Sequence, residues 1–193
     1  MNVGVANHLG YKVKPVLMIH EVRESIFDLP LENYILTFDD GLYSQYYYYP
    51  RFRNIPTEKI YFISSNILCA GSQSSGFPSC EEAHKKAFNG NCEDYMTLEQ
   101  VKELSKEPLV SIGGHGHNHI RISYYSKHTE RIKLLSEDTK SMVHWFESNL
   151  NFRPTKFCYP YNDDPHGMYS GILKLHGFDE FYGKERIDVS SLS

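Results

Sequence analysis

What this chain has little of narrows it quickly. No apolar stretch is long enough to span a bilayer, and no basic n-region followed by an apolar h-region opens the sequence, so the expectation is a cytosolic protein with no transmembrane segment. Positive charge is not in excess. A net charge of -4 and a pI near 6.2 argue against a nucleic-acid or anionic-membrane partner, either of which needs a basic face. The four cysteines, Cys69, Cys80, Cys92 and Cys158, lack the C-x-x-C spacing of a zinc site or redox pair. Free thiols are expected, with a Cys80–Cys92 bridge as the alternative if the protein is exported. Tryptophan occurs once, as Trp145 inside a helix-like segment, and reads as core. Internal repeats are absent.

What remains is a chain able to build one full core, at 193 residues with 40% hydrophobic content. Apolar, strand-like runs lie at 16–19, 34–38, 59–63, 109–112, 156–159 and 179–182. Helix-like segments fall between them. Residues 97–106 open with Thr97 three places before Gln100, a capping-box pattern. Residues 126–150 carry Ile132, Leu135, Met142, Val143 and Phe146 at helical spacing. Residues 165–176 are closed by Gly177 as a C-terminal cap. The tyrosines at 46–49 read as packing one helix. Alternating strands and helices predict parallel strands covered by helices, as a barrel or an open sheet. Residues 69–95, rich in Gly, Ser and Asn, read as an insertion or lid.

Two clusters carry chemistry. Asp39 and Asp40 end the apolar run at 34–38, and Gly41 lets the backbone turn. Adjacent carboxylates repel, and burying them costs several kcal/mol unless a cation or donors compensate. An exposed Asp-Asp-Gly turn would suit a solvated hairpin better than a strand this apolar. The second cluster, Gly113-Gly114-His115-Gly116-His117-Asn118-His119, follows the strand at 109–112. His115 and His119 with one carboxylate make a two-nitrogen, one-oxygen set with room for water, the open arrangement of a catalytic metal. His117 would then point elsewhere, packing or supporting the loop. By the same strand assignments His20, Asp39, His115 and Tyr161 all sit just past strand ends.

In these residues the chain resembles the polysaccharide deacetylases (NodB-type, carbohydrate esterase family 4), in its circularly permuted subgroup. Residues 36–41 resemble the first motif of that family, His115 to His119 the second, and Phe157-Cys158-Tyr159-Pro160-Tyr161 the third. The resemblance spans about residues 13–189. It implies a distorted (β/α) barrel with fewer than eight units, forming one catalytic domain over residues 1–193. It also implies that Asp40, His115 and His119 hold one divalent metal ion, zinc before Co, Ni, Mn or Fe, and that Asp39 is the general base. Pro160 and Tyr161 would line the groove, the Tyr161 backbone N–H helping to hold the oxyanion.

Departures from the pattern are equally informative. Where many members carry an arginine that pairs with the base, this chain has Cys158, and Arg153 lies too early to substitute. The later motif with a tryptophan-lined acyl pocket is missing. No strand-ending histidine follows, and His176, at a helix end, reads as structural. Val16-Leu17-Met18-Ile19-His20 has the shape of that missing strand, moved to the front as in the permuted deacetylases of exported biofilm glycans, which makes His20 the candidate general acid. Arg186 is the candidate guanidinium partner of Asp39, with a solvated strand-end arginine as the alternative. Asp163, Asp164 and His166 read as loop residues with a possible reach to sugar hydroxyls.

The reaction so implied is metal-dependent hydrolysis of an N-acyl group, acetyl first, from an N-acylated amino sugar, a sugar nucleotide or a lipid-linked glycan precursor. Two other readings stand beside it. One is a catalytically silent carbohydrate-binding module on the same scaffold, against which the retained Asp39 speaks. The other is hydrolysis of a non-sugar amide such as a cyclic ureide or imide.

Overall fold

The structure is a computed structural model describing residues 14–192; the rest of the single domain expected over 1–193 lies outside the described residues. Among the described residues seven strands form one all-parallel sheet, in the order β6-β5-β4-β3-β2-β1-β7. They are β1 (Val16–Ile19), β2 (Ile35–Phe38), β3 (Lys59–Ile63), β4 (Val110–Gly114), β5 (Lys156–Cys158), β6 (Glu180–Tyr182) and β7 (Ile187–Asp188). The sheet curls into a distorted (β/α) barrel of fewer than eight units. Its two edge strands, β6 and β7, are consecutive in sequence, so the short link 183–186 crosses the seam between them.

Among the described residues six α-helices accompany the strands: α1 (Tyr43–Tyr47), α2 (Tyr49–Phe52), α3 (Cys80–Phe88), α4 (Leu98–Leu104), α5 (His128–Leu150) and α6 (Met168–Leu175). The expected caps are present. Thr97 and Gln100 form a reciprocal capping box on α4, and Gly177 follows α6 with φ +90°. The tyrosines at 46–49 do not pack a single helix. Pro50, which cannot donate a backbone hydrogen bond, sits at the start of α2 and splits the segment in two. Ile132 is also off the core face: it is 48% exposed, while Leu135, Asp138, Thr139, Met142, Val143 and Phe146 form the buried stripe of α5. Trp145 is half-buried against the core. No helix among the described residues is long and apolar enough to cross a membrane, and all four cysteines are free thiols.

The core lies between the curled sheet and the helices, with every residue of β3 buried. Close packing explains the glycines that end β4. A Cβ on Gly113 would come within 2.7 Å of the Phe62 ring and 2.9 Å of the Lys156 carbonyl oxygen. One of these obstacles is backbone and cannot swing aside. Gly113→Ala should therefore destabilise the fold by about 1–3 kcal/mol, read as a lower urea midpoint; an unchanged midpoint would mean that this contact relaxes freely.

Candidate active site

The site is assembled at the carboxyl ends of the strands. β2 stops at Phe38, but the Asp39 N–H still donates to the Ile19 carbonyl of β1 at 3.0 Å. The chain then enters the left-handed region at Asp40 (φ 75°) and Gly41 (φ 82°). This turn lets two consecutive carboxylates serve different partners. Gln45, fully buried, fixes the corner by donating to the carbonyls of Asp39 (2.6 Å) and His20 (2.8 Å).

Asp39 is held by Arg186. Nη1 donates to Oδ1 at 2.7 Å and Nη2 to Oδ2 at 2.8 Å, a two-pronged contact sealed from solvent. The guanidinium also donates to Thr37 Oγ1, the Gly183 carbonyl and Asn162 Oδ1. Burial opposes ionisation of Asp39, but the adjacent guanidinium outweighs it and holds the carboxyl below its usual range. The Cys158 thiol lies between them, 3.3 Å from Asp39 Oδ2 and 3.0 Å from Arg186 Nη2. His20, half-buried at the end of β1, places Nε2 3.9 Å from the same carboxylate oxygen.

Asp40 faces imidazoles. His119 Nε2 lies 3.0 Å and His115 Nε2 3.1 Å from Asp40 Oδ1, an oxygen that has no hydrogen-bond partner among the described residues. His115 Nδ1–H donates to the Cys158 carbonyl at 2.8 Å, which leaves a lone pair on its Nε2. Burial and then the pull of Asp40 shape both rings: His115 is raised, whereas burial takes His119 down to about 4. Burial also opposes the Asp40 charge, but His115 and His119 hold its pKa well below the usual range. A buried carboxylate facing imidazoles is stable only with positive charge there, as a proton on a ring or a cation between them. The three ligand atoms lie within 4.8 Å of one another, and the donor set of one carboxylate and two imidazoles suits a divalent ion. Asp39–His115–Cys158 and His20–Asp40–Cys80 form neighbouring groups of the same kind.

The histidine loop is held by residues that the sequence patterns did not single out. Asp138, buried on α5, accepts from the backbone N–H groups of His117 (2.7 Å) and Asn118 (2.9 Å). Its only signal is an acid on the apolar stripe of a long helix. Ser64 Oγ donates to the His115 carbonyl, and His117 turns away from the cluster to meet Ser65 Oγ through Nδ1 at 2.8 Å. The segment 69–95 is less irregular than its composition suggests. It contains α3, marked by a Ser79–Glu82 capping box, and α3 adds Cys80 and His84 beside Asp40.

An open groove of about 1120 Å³ runs over this cluster, touching His20, Asp39, Asp40, His115, His119 and Tyr161. Tyr161 adopts φ 57° and is 41% exposed, its ring 4.6 Å from that of His119. Pro160 does not share that surface. It is buried, while the two residues after it, Tyr161 and Asn162, line the groove. Asp164 caps the start of α6 by accepting from the Tyr169 N–H, and Asp163 accepts from the Ser123 N–H, so both are committed to loop structure. His176 ends α6.

No protein-family model matches the chain, and no curated protein matches it. Solved structures do. IcaB from Ammonifex degensii is similar with a TM-score of 0.63 at 20% identity, covering 91% of this chain and 84% of that one. A de-N-acetylase from Aggregatibacter actinomycetemcomitans gives 0.60 at 16%, covering 89% and 77%. A polysaccharide deacetylase from Bacillus cereus gives 0.62 at 10%, covering 91% and 64%. The fold is that of the polysaccharide deacetylases. On this deacetylase fold the seam between β6 and β7 delivers the arginine that faces Asp39, while position 158 holds a thiol.

Removing the guanidinium would strand a buried carboxylate. Arg186→Met should cost roughly 3–5 kcal/mol in chemical denaturation, and the double variant with Asp39→Asn should recover part of that loss. A cost below about 1 kcal/mol would mean that the pair behaves as a solvated ion pair.

Proposed function

We propose that the protein is a metal-dependent amide hydrolase that removes an N-acyl group, acetyl first, from an amino sugar within a glycan or glycan precursor. The observation that carries this reading is Asp39: a sealed carboxylate kept ionised by Arg186, next to a separate carboxylate–imidazole cluster. A module that only binds sugar has no use for a buried base held ready in this way. The likeness of fold to polysaccharide deacetylases supports the same substrate class.

Asp40, His115 and His119 would hold the ion, with zinc favoured by the nitrogen-rich set and Co, Ni, Mn or Fe compatible with it. The chemistry such an ion supplies when bound is Lewis acidity toward the acyl oxygen and a lowered pKa for water. Asp39 accepts the water proton; Arg186 keeps that carboxylate charged and oriented. His20, on the other side of Asp39 and open to the groove, gives a proton to the departing nitrogen, without which an amine does not leave. Tyr161 forms a wall over His119 and its N–H serves the developing oxyanion. Exposed rings of Tyr161, Tyr124 and Phe88 border the groove, which favours a substrate of several sugar units or a lipid-linked precursor over a free monosaccharide.

Acetate release from N-acetylated oligosaccharides and sugar nucleotides, with and without chelator, tests the proposal. Chelation should abolish turnover and zinc restore it. Asp39→Asn should lower kcat by about 10²–10⁴-fold with metal content unchanged. Saturable sugar binding with no acetate release by the metal-loaded protein would instead establish the silent module. In His20→Ala, kcat should fall by about 10²-fold or more; unchanged turnover would remove the acid role.

A further inference from the structure

Trp145 is the single tryptophan of the chain, and the groove over Asp39 and Asp40 does not touch it. The residue packs on the core and edge-on against Phe146, with ring centroids 5.3 Å apart, yet it stays half-buried. Its indole N–H donates to no group among the described residues. The ring walls a second cavity of about 390 Å³, bounded also by the segment after β3 and by the first turn of α4. Pockets for small organic ligands begin at about 300 Å³, so a pyranose ring fits.

The polar rim of this cavity is uncommitted. Glu99, exposed in the first turn of α4, has neither an ion pair nor a hydrogen bond among the described residues. Asn66 donates through Nδ2 to Asn118 at 2.8 Å, which leaves its side-chain carbonyl to accept. Among the described residues no lysine, arginine or histidine lines the cavity, so nothing there balances a phosphate or another anion. Leu68 and Leu98 add apolar surface. A half-buried tryptophan alone is ordinary. Beside free carboxylate and amide acceptors, it is a wall on which the C–H face of a sugar stacks while its hydroxyls donate to the rim.

The cavity lies behind the histidine loop. Ser65, in its wall, meets His117 Nδ1 at 2.8 Å, and the Asn66 N–H donates to the His117 carbonyl at 2.9 Å. It shares no lining residue with the groove.

We propose that this cavity is a second carbohydrate site, where Trp145 stacks on one pyranose unit of the amino-sugar glycan and Glu99 and Asn66 accept from its hydroxyls or free amine. The choice of ligand rests on the substrate class proposed above, but the site needs no bound metal. A polymer held here stays close to the groove, so long chains gain in turnover where a disaccharide does not.

Trp145 is its own reporter. Titration of the wild-type protein with glucosamine and N-acetylglucosamine oligosaccharides should change tryptophan emission saturably; no change at concentrations that saturate acetate release would overturn the proposal. Glu99→Ala should raise the midpoint of that change about tenfold, leave kcat on a disaccharide unaltered and raise KM for the polymer. A midpoint that equals KM and is unmoved in Glu99→Ala would show that the emission follows the groove, which also overturns it. By calorimetry Trp145→Phe should retain two sites and Trp145→Ala one; two sites in Trp145→Ala would remove the stacking role. Acetate release without a tryptophan response removes this site and leaves the hydrolase reading standing, whereas a response without acetate release does the reverse.

Discussion

Keeping two neighbouring carboxylates ionised in the interior is the constraint around which this molecule is built. Asp39 and Asp40 are 2% and 1% exposed, so neither can rely on water for its charge. Side by side on a regular strand they would alternate faces; the left-handed turn at Asp40 and Gly41 redirects the second one. Each then receives a different counter-charge. Asp39 has a permanent one, a guanidinium whose protonation is not in question at any ordinary pH. Asp40 has only imidazoles, whose nitrogens can face an anion as donors or as lone pairs. The first arrangement is complete within the protein, and the second is a donor set of the kind that suits a divalent ion.

The guanidinium and the thiol at position 158 are two sides of one packing problem. Arg186 enters through the link that closes the seam between the edge strands, and its Nη2 lies 3.0 Å from Cys158 Sγ. The buried side of Asp39 is filled by one guanidinium and the thiol. An arginine at 158 would bring a second guanidinium into a volume where the first is already fully buried, with one carboxylate between them. A small residue at 158 is therefore what the alternative source of charge requires. The guanidinium that faces Asp39 thus comes from the link 183–186 and not from position 158.

Much of this was legible because it is local. β1 to β6 are short apolar runs, the caps of α4 and α6 are three-residue patterns, and the Asp pair and His loop are contiguous. What the sequence concealed is contact between distant segments. β7 is two residues long and has no periodicity of its own; it exists because β1 offers it an edge. Whether Arg186 was solvated or buried depended on that pairing. Asp138 looked like a polar lapse on a core stripe until the backbone N–H groups it serves came into view. Helix α3 was obscured by the Gly, Ser and Asn around it, although the Ser79–Glu82 capping box marked its start.

That helix divides the site into two mechanical parts. His115 extends directly from β4, its N–H continuing the ladder to the Ile63 carbonyl, and Asp40 follows Asp39, whose N–H does the same to Ile19. Their positions are fixed by the main core. His84 and Cys80 belong to a satellite cluster in which Ala83 and Ala87 pack on Leu42, Ile67 and Tyr95. The two clusters meet at the Asp40 carboxylate, one oxygen facing the rings and the other accepting from Cys80. The Asp39–Arg186 pair stands apart from this junction, closed on the barrel side by the link 183–186.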